Sequence, residues 1–286
     1  MGHAKRASLP MTAYMPEHEL NMSERLALLS DLRHAIARGE LALVFQPIVA
    51  MSTGACVSVE CLLRWQHPTR GAVLPMAFIP LAEESGLIRQ IGLWTIKEAA
   101  RNWATWRPTG PGVSLNLSMR NLRMPELREA IAASLKASEL PRGALTIEIT
   151  ESVIMEQPQR VMVLLRDLDE IGVRASVDDF GTGYSSLAYL KDLAVRELKI
   201  DRAFVADLTT NAHTETIVRS TIDLAHDLGL VVVAEGIEDQ AAWDALSALG
   251  CDNAQGYFIA RPMSADALTA WLRSRVTASA ASVLSA

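Results

Sequence analysis

The chain has 286 residues, of which 50% are hydrophobic and 21% are charged, a composition typical of a folded protein with one large domain or two small ones. The net charge is −6 and no basic stripe is present, which argues against duplex nucleic acid as a partner. The three cysteines form no CxxC pair, and no secretory signal or apolar run of about 18 residues occurs, so we expect a cytoplasmic protein without a membrane span.

The domain boundaries follow from where the hydrophobic periodicity starts and stops. Residues 1–22 lack clear periodicity and are expected to form an N-terminal tail or linker. A helix opens at Ser23, carries leucines at helical spacing and ends at Gly39. We therefore expect one folded domain over residues 23–276 and a C-terminal tail over residues 277–286.

Two apolar stretches near the start of this domain predict a pair of antiparallel strands. They are Leu41–Val49 and Cys56–Trp65, and only residues 50–55 lie between them. Parallel neighbours need a crossover of about a dozen residues or more. The short connection therefore reverses the direction of the chain.

The rest of the domain alternates between strands and helices, which predicts parallel strands. Eight strands in a chain of this length predict an α/β fold, a TIM-like (β/α)8 barrel with the first strand antiparallel. An open doubly wound sheet is the alternative, although no GxGxxG or P-loop opens a helix. The predicted strands lie near 113–118, 145–151, 174–179, 197–201, 231–236 and 253–259, and the clearest helices are Leu87–Trp106, Gln159–Ile171, Thr214–Leu228, Gln240–Leu249 and Ala265–Arg273.

Acidic and amide side chains recur where these strands end. One such residue alone is usually a surface group or a helix cap, but Asp and Asn are disfavoured in strands, so their repetition at one height of a barrel indicates a site. Buried carboxylates need cations, and oxygen ligands suit Mg2+ or Mn2+. The residues are Glu60, Asn116, Glu148, Asp178, Asp179, Lys199, Asp201, Glu235 and Gln255.

The densest segment runs from Asp178 to Leu187. Adjacent carboxylates at Asp178 and Asp179 point in different directions, so one of them could bridge two metals while the other reaches the second. Gly181 and Gly183 permit unusual backbone angles. Ser185 or Ser186 is then expected to cap the next helix.

Several motifs together give the chain a resemblance to a known family. From about Leu32 to about Met263 it resembles the EAL-domain family of cyclic di-GMP phosphodiesterases. The motifs are Glu60-Cys61-Leu62-Leu63-Arg64-Trp65, Gln46-Pro47-Ile48-Val49, Asn116-Leu117-Ser118, Glu148-Ile149-Thr150-Glu151, the DDFGTGYSSL segment, Leu198-Lys199-Ile200-Asp201, Glu235-Gly236-Ile237-Glu238 and Gln255-Gly256-Tyr257.

The resemblance implies a barrel whose first strand is antiparallel, and two Mg2+ or Mn2+ ions that support hydrolysis of cyclic di-GMP to linear pGpG. It also implies a role for each matching residue. The ligands of the first metal match Glu60, Asn116, Glu148 and Asp178, with Asp178 bridging. The groups that serve the second metal or its waters match Asp179 and Glu235. Lys199 matches the catalytic lysine that contacts the attacking water, and Glu151 matches the glutamate that holds the loop after Asp179. Positions that line the substrate or support the ligands match Gln46, Arg64, Asp201, Glu238 and Gln255.

Other functions remain as alternatives. A non-catalytic cyclic di-GMP receptor of this family would lack several metal ligands, and this chain has the full set. A metal-dependent barrel enzyme acting on carbanions would need a second lysine or histidine base at a strand end. Arg64 could instead form an ion pair with a barrel carboxylate. By strand alternation Cys61 points away from Glu60 and is expected to pack.

The resemblance also suggests partners. Many EAL domains pair through the barrel face near the loop that follows Asp179, so we expect a homodimer. The stretch from Tyr14 to Leu32 resembles the joint that follows a GGDEF domain. An upstream GGDEF or sensor domain in a longer parent protein is therefore expected.

Overall fold

The computed structural model describes residues 22–106, 110–181 and 187–283. Residues 1–21 of the predicted tail lie outside them, as do Gly183 and the expected caps Ser185 and Ser186, whereas Met22 begins the first helix. The strands are β1 (Leu41–Ala50), β2 (Cys56–His67), β3 (Gly71–Val73), β4 (Gly112–Asn116), β5 (Leu145–Thr150), β6 (Arg174–Phe180), β7 (Glu197–Ile200), β8 (Val231–Ala234) and β9 (Asn253–Ala254). The helices are α1 (Met22–Ala35), α2 (Pro75–Ser85), α3 (Ile88–Trp103), α4 (Met119–Leu122), α5 (Leu127–Ser138), α6 (Glu151–Glu156), α7 (Pro158–Glu170), α8 (Leu187–Leu190), α9 (Arg202–Asp207), α10 (Ala212–Asp227), α11 (Gln240–Ala248) and α12 (Ala265–Val283).

Eight of these strands close into a barrel. The order around it is β1-β9-β8-β7-β6-β5-β4-β2, and β1 also pairs with β2. β1 is antiparallel to both of its neighbours, whereas all other pairs in the ring are parallel. The predicted TIM-like barrel with an antiparallel first strand is therefore confirmed.

Several elements differ from the prediction. β3 forms a hairpin with β2 outside the ring and was not predicted, because three residues carry no readable alternation. β9 has two residues instead of a strand reaching residue 259. α2 was missed because Pro75 begins it and Pro80 lies inside it, and prolines usually break helices. α12 continues to Val283, beyond the predicted end at Arg273.

The main hydrophobic core lies between the barrel strands and the surrounding helices. On β4 and β5, Leu115 and Ile147 are fully buried in one cluster with Ile131 and Leu165 of the helices. Side chains alternate along a strand, so the neighbours of these apolar residues face the barrel interior. Those neighbours are polar on β4 to β7: Ser114, Asn116, Thr146, Glu148, Ser176, Asp178, Glu197 and Lys199. The interior is thus polar, unlike the packed branched aliphatic interior that is usual in such barrels.

A smaller core lies between α1, β2 and α2. Trp65 and Phe78 are fully buried there, with ring centroids 5.5 Å apart in an edge-to-face arrangement. Trp65 Nε1 donates a hydrogen bond to Glu40 Oε2 over 3.0 Å. This core ties the N-terminal helix to the barrel. None of the helices in the described part of the chain combines the length and the apolar character needed to cross a membrane.

We predict that Phe78→Ala lowers the free energy of unfolding by about 3–5 kcal/mol, because it leaves a cavity in this smaller core. Leu26→Ala on the neighbouring α1 is the control, since Leu26 is 61% exposed and its truncation should change stability by less than about 0.5 kcal/mol. Urea unfolding of both variants measures the difference. Equal losses in the two variants would contradict this assignment of the core.

Candidate functional site

A buried lysine lies at the centre of the carboxyl-terminal end of the barrel. Lys199, on β7, is fully buried, and four carboxylates surround its ammonium group. Its Nζ atom lies 2.5 Å from Glu235 Oε1, 3.1 Å from Glu148 Oε1, 3.6 Å from Asp178 Oδ1 and 3.8 Å from Glu60 Oε2. One cation therefore faces four potential anions.

The carboxylates determine the charge of this lysine. Burial alone would lower the pKa of Lys199, because it disfavours the charged form. The attraction of the four carboxylates, Glu148 foremost, outweighs burial and raises the pKa of Lys199 well above its usual value. Lys199 is therefore an ammonium at neutral pH, and it can donate hydrogen bonds but cannot accept a proton.

Burial has the opposite effect on the charge of the carboxyl groups. It raises the pKa of Glu148 well above its usual value, although Lys199 opposes the shift and Glu60 and Asp178 add to it. It likewise raises the pKa of Glu235 to about 7, again against the attraction of Lys199. We call Glu60, Glu148, Asp178 and Glu235 the carboxylate ring. Lys199 alone cannot neutralise these four groups, so bound protons suppress part of their negative charge.

Two amide side chains bind the carboxylates to one another. Asn116 is the register partner of Glu148, and its Nδ2 donates to Glu148 Oε2 over 3.0 Å and to Glu60 Oε1 over 2.9 Å. Gln255 Nε2 donates to Glu60 Oε2 over 2.6 Å and to Gln46 Oε1 over 3.1 Å. Hydrogen bonds therefore connect five of the residues predicted from the sequence, on strands β1, β2, β4 and β5 and next to β9: Gln46, Glu60, Asn116, Glu148 and Gln255.

The end of β6 carries the second group of predicted residues. Asp179 has a φ of 54°, in the left-handed region, and its N–H donates to Asp178 Oδ1 over 3.0 Å. Burial, with Asp178 and Asp201 nearby, raises the pKa of Asp179. Two residues later, Gly181 N donates to Glu151 Oε2 over 3.1 Å. Glu151 is thus bonded to the backbone at the start of the loop after Asp179, as the resemblance implied.

Three predicted substrate-binding residues lie apart from the carboxylate ring. Arg64 is half-buried, and its Nη1 donates to the carbonyl of Leu63 over 2.8 Å; it makes no ion pair with another described residue. Asp201 caps α9 by accepting from Ala203 N over 2.9 Å. Glu238 is exposed and has no hydrogen bond or ion pair within the described chain. Their roles toward a substrate stay predictions.

Three further polar residues, which the sequence did not single out, lie below the carboxylate ring in the barrel interior. Ser114, Ser176 and Glu197 lie two positions before Asn116, Asp178 and Lys199 on their strands, and so face the same interior. Counting two positions back along each strand from the predicted site residues could have found them. Ser is ordinary at such positions, however, and carried no signal by itself. Cys61, in contrast, packs into the main core as predicted.

The donor set suits hard divalent cations. As the side chains stand, no three His, Cys, Asp or Glu residues of the described ranges converge as a metal-ligand group, and the Lys199 ammonium lies among the carboxylates. Glu148 Oε1 and Lys199 Nζ are 3.1 Å apart, yet both lack a partner in full hydrogen-bond geometry. Surplus buried negative charge on oxygen donors fits Mg2+ or Mn2+.

The architecture and these residues match one protein family. The family model described as "EAL domain" matches residues 29–262. The chain belongs to the EAL domain family. The family expected from the sequence motifs is thereby confirmed, and the match spans the ring of β1, β2 and β4 to β9.

Individual relatives extend this comparison. The "Bifunctional diguanylate cyclase/cyclic di-GMP phosphodiesterase MucR" of Pseudomonas aeruginosa is 42% identical over 253 residues, which cover 87% of this chain and 37% of MucR. The "Cyclic di-GMP phosphodiesterase PA2567" of the same organism is 37% identical over 91% of this chain and 45% of its own length. The chain thus spans less than half of either relative.

A solved structure aligns over almost its whole length. The "PaMucR Phosphodiesterase, c-di-GMP complex" has a TM-score of 0.81 and 41% sequence identity, and the alignment covers 85% of this chain and 99% of that one. The fold of this chain is therefore that of an EAL domain.

We predict that Glu151→Ala speeds hydrogen exchange at the Gly181 amide by about tenfold or more, because the variant removes the acceptor of that N–H group. Glu156→Ala is the control, since Glu156 lies on the same helix and is exposed. Hydrogen–deuterium exchange with mass spectrometry resolves the peptide containing Gly181. The same exchange rate in both variants would show that Glu151 does not hold this loop.

We also predict that the protein in chelator loses stability as the pH rises from about 4.5 to about 7. A folded-state pKa of about 7 for Glu235 means that the folded protein binds more protons than the unfolded chain in this range. The stabilisation is therefore present below the unfolded pKa and is lost as the pH approaches 7, by up to roughly 3 kcal/mol.

Glu235→Gln isolates this contribution, because glutamine does not titrate. Urea unfolding at pH 5 and pH 7.5 should give a smaller pH-dependent loss in Glu235→Gln than in the wild type. An identical pH dependence in both proteins would contradict the raised pKa of Glu235.

Proposed function

We propose that this chain is a metal-dependent phosphodiesterase that hydrolyses cyclic di-GMP to linear pGpG. The observation that carries the proposal is the complete set of ligand-type side chains around a buried lysine at the carboxyl end of an EAL barrel. Glu60, Asn116, Glu148 and Asp178 are all present and lie around Lys199. The names of MucR and the second Pseudomonas relative support the choice of substrate.

In this proposal two divalent ions, Mg2+ or Mn2+, bind the carboxylate ring. Glu60, Asn116, Glu148 and Asp178 would hold the first, with Asp178 shared, and Asp179 and Glu235 would serve the second. Bound ions of this kind supply Lewis-acid stabilisation of phosphate oxygens and lower the pKa of a water molecule. Two such ions would also replace the protons that Glu148 and Glu235 hold in their absence.

Lys199 orients the attacking water and stabilises negative charge. Because its pKa is raised, it acts as a hydrogen-bond donor and not as a base. Water forms a new bond to phosphorus, the bond from phosphorus to the 3′ oxygen breaks, and that oxygen takes up a proton to become the 3′ hydroxyl of pGpG. The fixed ammonium favours the added charge of the transition state, since it needs no reorganisation.

The remaining predicted residues position the site and the substrate. Glu151 holds the backbone at Gly181, two residues after Asp179, by accepting a hydrogen bond from the Gly181 N–H group. Gln255 orients Glu60 by donating to it, and Gln46 positions Gln255 by accepting from the same amide. Arg64, Asp201 and Glu238 are proposed to meet the substrate, with the exposed part of the Arg64 guanidinium available for a phosphate or a base edge.

We further propose that the chain works as a cytoplasmic homodimer within a longer protein that carries a GGDEF or sensor domain. Its three cysteines are free, which suits a reducing compartment. It spans only 37% and 45% of the two relatives compared above. Sedimentation that finds only monomer at micromolar concentration would argue against the dimer.

We predict that Glu60→Gln and Lys199→Met each lower the turnover of cyclic di-GMP by about 100-fold or more. The first variant removes a carboxylate that would hold a metal ion, and the second removes the ammonium that stabilises negative charge at the reacting phosphate. Chromatography of the nucleotides after incubation with Mg2+ or Mn2+ measures pGpG formation, and chelator should abolish it. Glu84→Gln is the matched control, since Glu84 is an exposed carboxylate paired with Arg25 on the outer helices.

The outcomes separate the enzyme from the receptor. Metal-dependent pGpG in the wild type and in Glu84→Gln, with loss in the two site variants, supports the enzyme. Tight binding of unchanged cyclic di-GMP by the wild type would favour a receptor instead, and full activity in Glu60→Gln would refute the proposed ligand role.

A further inference from the structure

A cavity lies at the opposite end of the barrel from the carboxylate ring. It has a volume of about 300 Å³, and its lining comes from the amino-terminal ends of β2, β4 to β9 and the segment before β5. Ser58, Thr146 and Asn253 line its interior wall. Because these side chains are small and polar, the amino-terminal end of the barrel interior holds a cavity that opens to solvent.

Three arginines surround this cavity. Arg174 makes no hydrogen bond or ion pair within 4.0 Å to another described residue, but its charge lowers the pKa of nearby Glu197. Its guanidinium lies across Gly143, where a Cβ atom would be 2.9 Å from Arg174 Nε. Arg142 Nη2 donates only to the backbone carbonyls of residues 169 and 170, and Arg196 Nη2 is 4.0 Å from Asp169 Oδ1.

A buried hydroxyl lies above the arginines, beside Glu197. Ser176 is 1% exposed and lies on the same face of β6 as Arg174, one alternation higher. Its register partner on β7 is Glu197, which lines the cavity. The Ser176 hydroxyl lowers the pKa of Glu197 by hydrogen bonding, so these two side chains form a polar pair next to the cavity.

The charge of the cavity favours an anion. Its lining carries three arginines and one acidic residue, Glu197, in a chain whose overall net charge is −6. Burial raises the pKa of Glu197, whereas Lys199 and Arg174 oppose the shift. Guanidinium groups bind phosphate through paired hydrogen bonds, and several forks around one cavity match a tetrahedral dianion better than a single carboxylate.

We propose that the amino-terminal end of this barrel binds a phosphate group, as free phosphate or as a phosphomonoester, through Arg142, Arg174 and Arg196. The mouth of the cavity leaves room for the rest of a phosphomonoester to extend into solvent. The site is separate from the carboxylate ring and does not depend on the proposed hydrolysis.

Equilibrium dialysis of the full chain in buffer containing Mg2+, with inorganic phosphate in one arm and adenosine 5′-monophosphate in the other, tests the proposal. Arg174→Gln should weaken binding by at least about tenfold, because it removes one of the three guanidinium groups around the cavity. Arg219→Gln is the control, since Arg219 lies on α10 paired with Glu215 and does not line the cavity. Glu60→Gln should retain binding, because it alters only the other end of the barrel.

Tighter binding of the nucleotide identifies a phosphomonoester site, and equal binding of both probes identifies a free-phosphate site. If Arg174→Gln fails to fold, Arg196→Gln gives the same test, since its side chain is 67% exposed. Wild-type affinity in the arginine variants, absence of binding at millimolar phosphate, or loss of binding in Glu60→Gln alone would each overturn the proposal.

Discussion

The ion cluster around Lys199 is the interaction on which the rest of the barrel depends. A fully buried ammonium is tolerated because Glu60, Glu148, Asp178 and Glu235 surround it, and the carboxylates are tolerated in part because the ammonium is there. This arrangement occupies the interior that other barrels fill with branched aliphatic side chains. The apolar core is consequently displaced outward, between the strands and the helices, where Leu115 and Ile147 are buried.

The same cluster has surplus negative charge, and this surplus connects the fold to the proposed chemistry. Without further cations, protonation reduces the charge, as the raised pKa values of Glu148 and Glu235 indicate. Divalent metal ions, when they are available, can replace the protons that these carboxyl groups bind in the absence of other cations.

The two ends of the barrel also differ in charge. The carboxyl end is anionic, whereas the arginine-lined amino end is cationic, with Ser114 and Ser176 between them.

Much of this could be predicted from the sequence. The recurrence of polar residues at strand ends brought Glu60, Asn116, Glu148, Asp178 and Lys199 together at one end of the barrel, and the short connection after β1 predicted the reversed strand. Residues beyond the strand ends, such as Asp201 and Glu238, were less predictable because their orientation depends on turns and caps. α2 was missed because its two prolines hide a helix that is stabilised by burying Phe78 against Trp65.

The most direct test of the proposed metal site is a crystal structure of the chain with Mn2+, in which anomalous scattering locates the ions. We expect two manganese positions at the carboxyl end of the barrel, between Glu60, Asn116, Glu148 and Asp178 and beside Asp179, with the Lys199 ammonium no longer in contact with all four carboxylates. Crystals grown in excess Mn2+ that contain no manganese at this end, and in which Lys199 keeps all its carboxylate contacts, would contradict it.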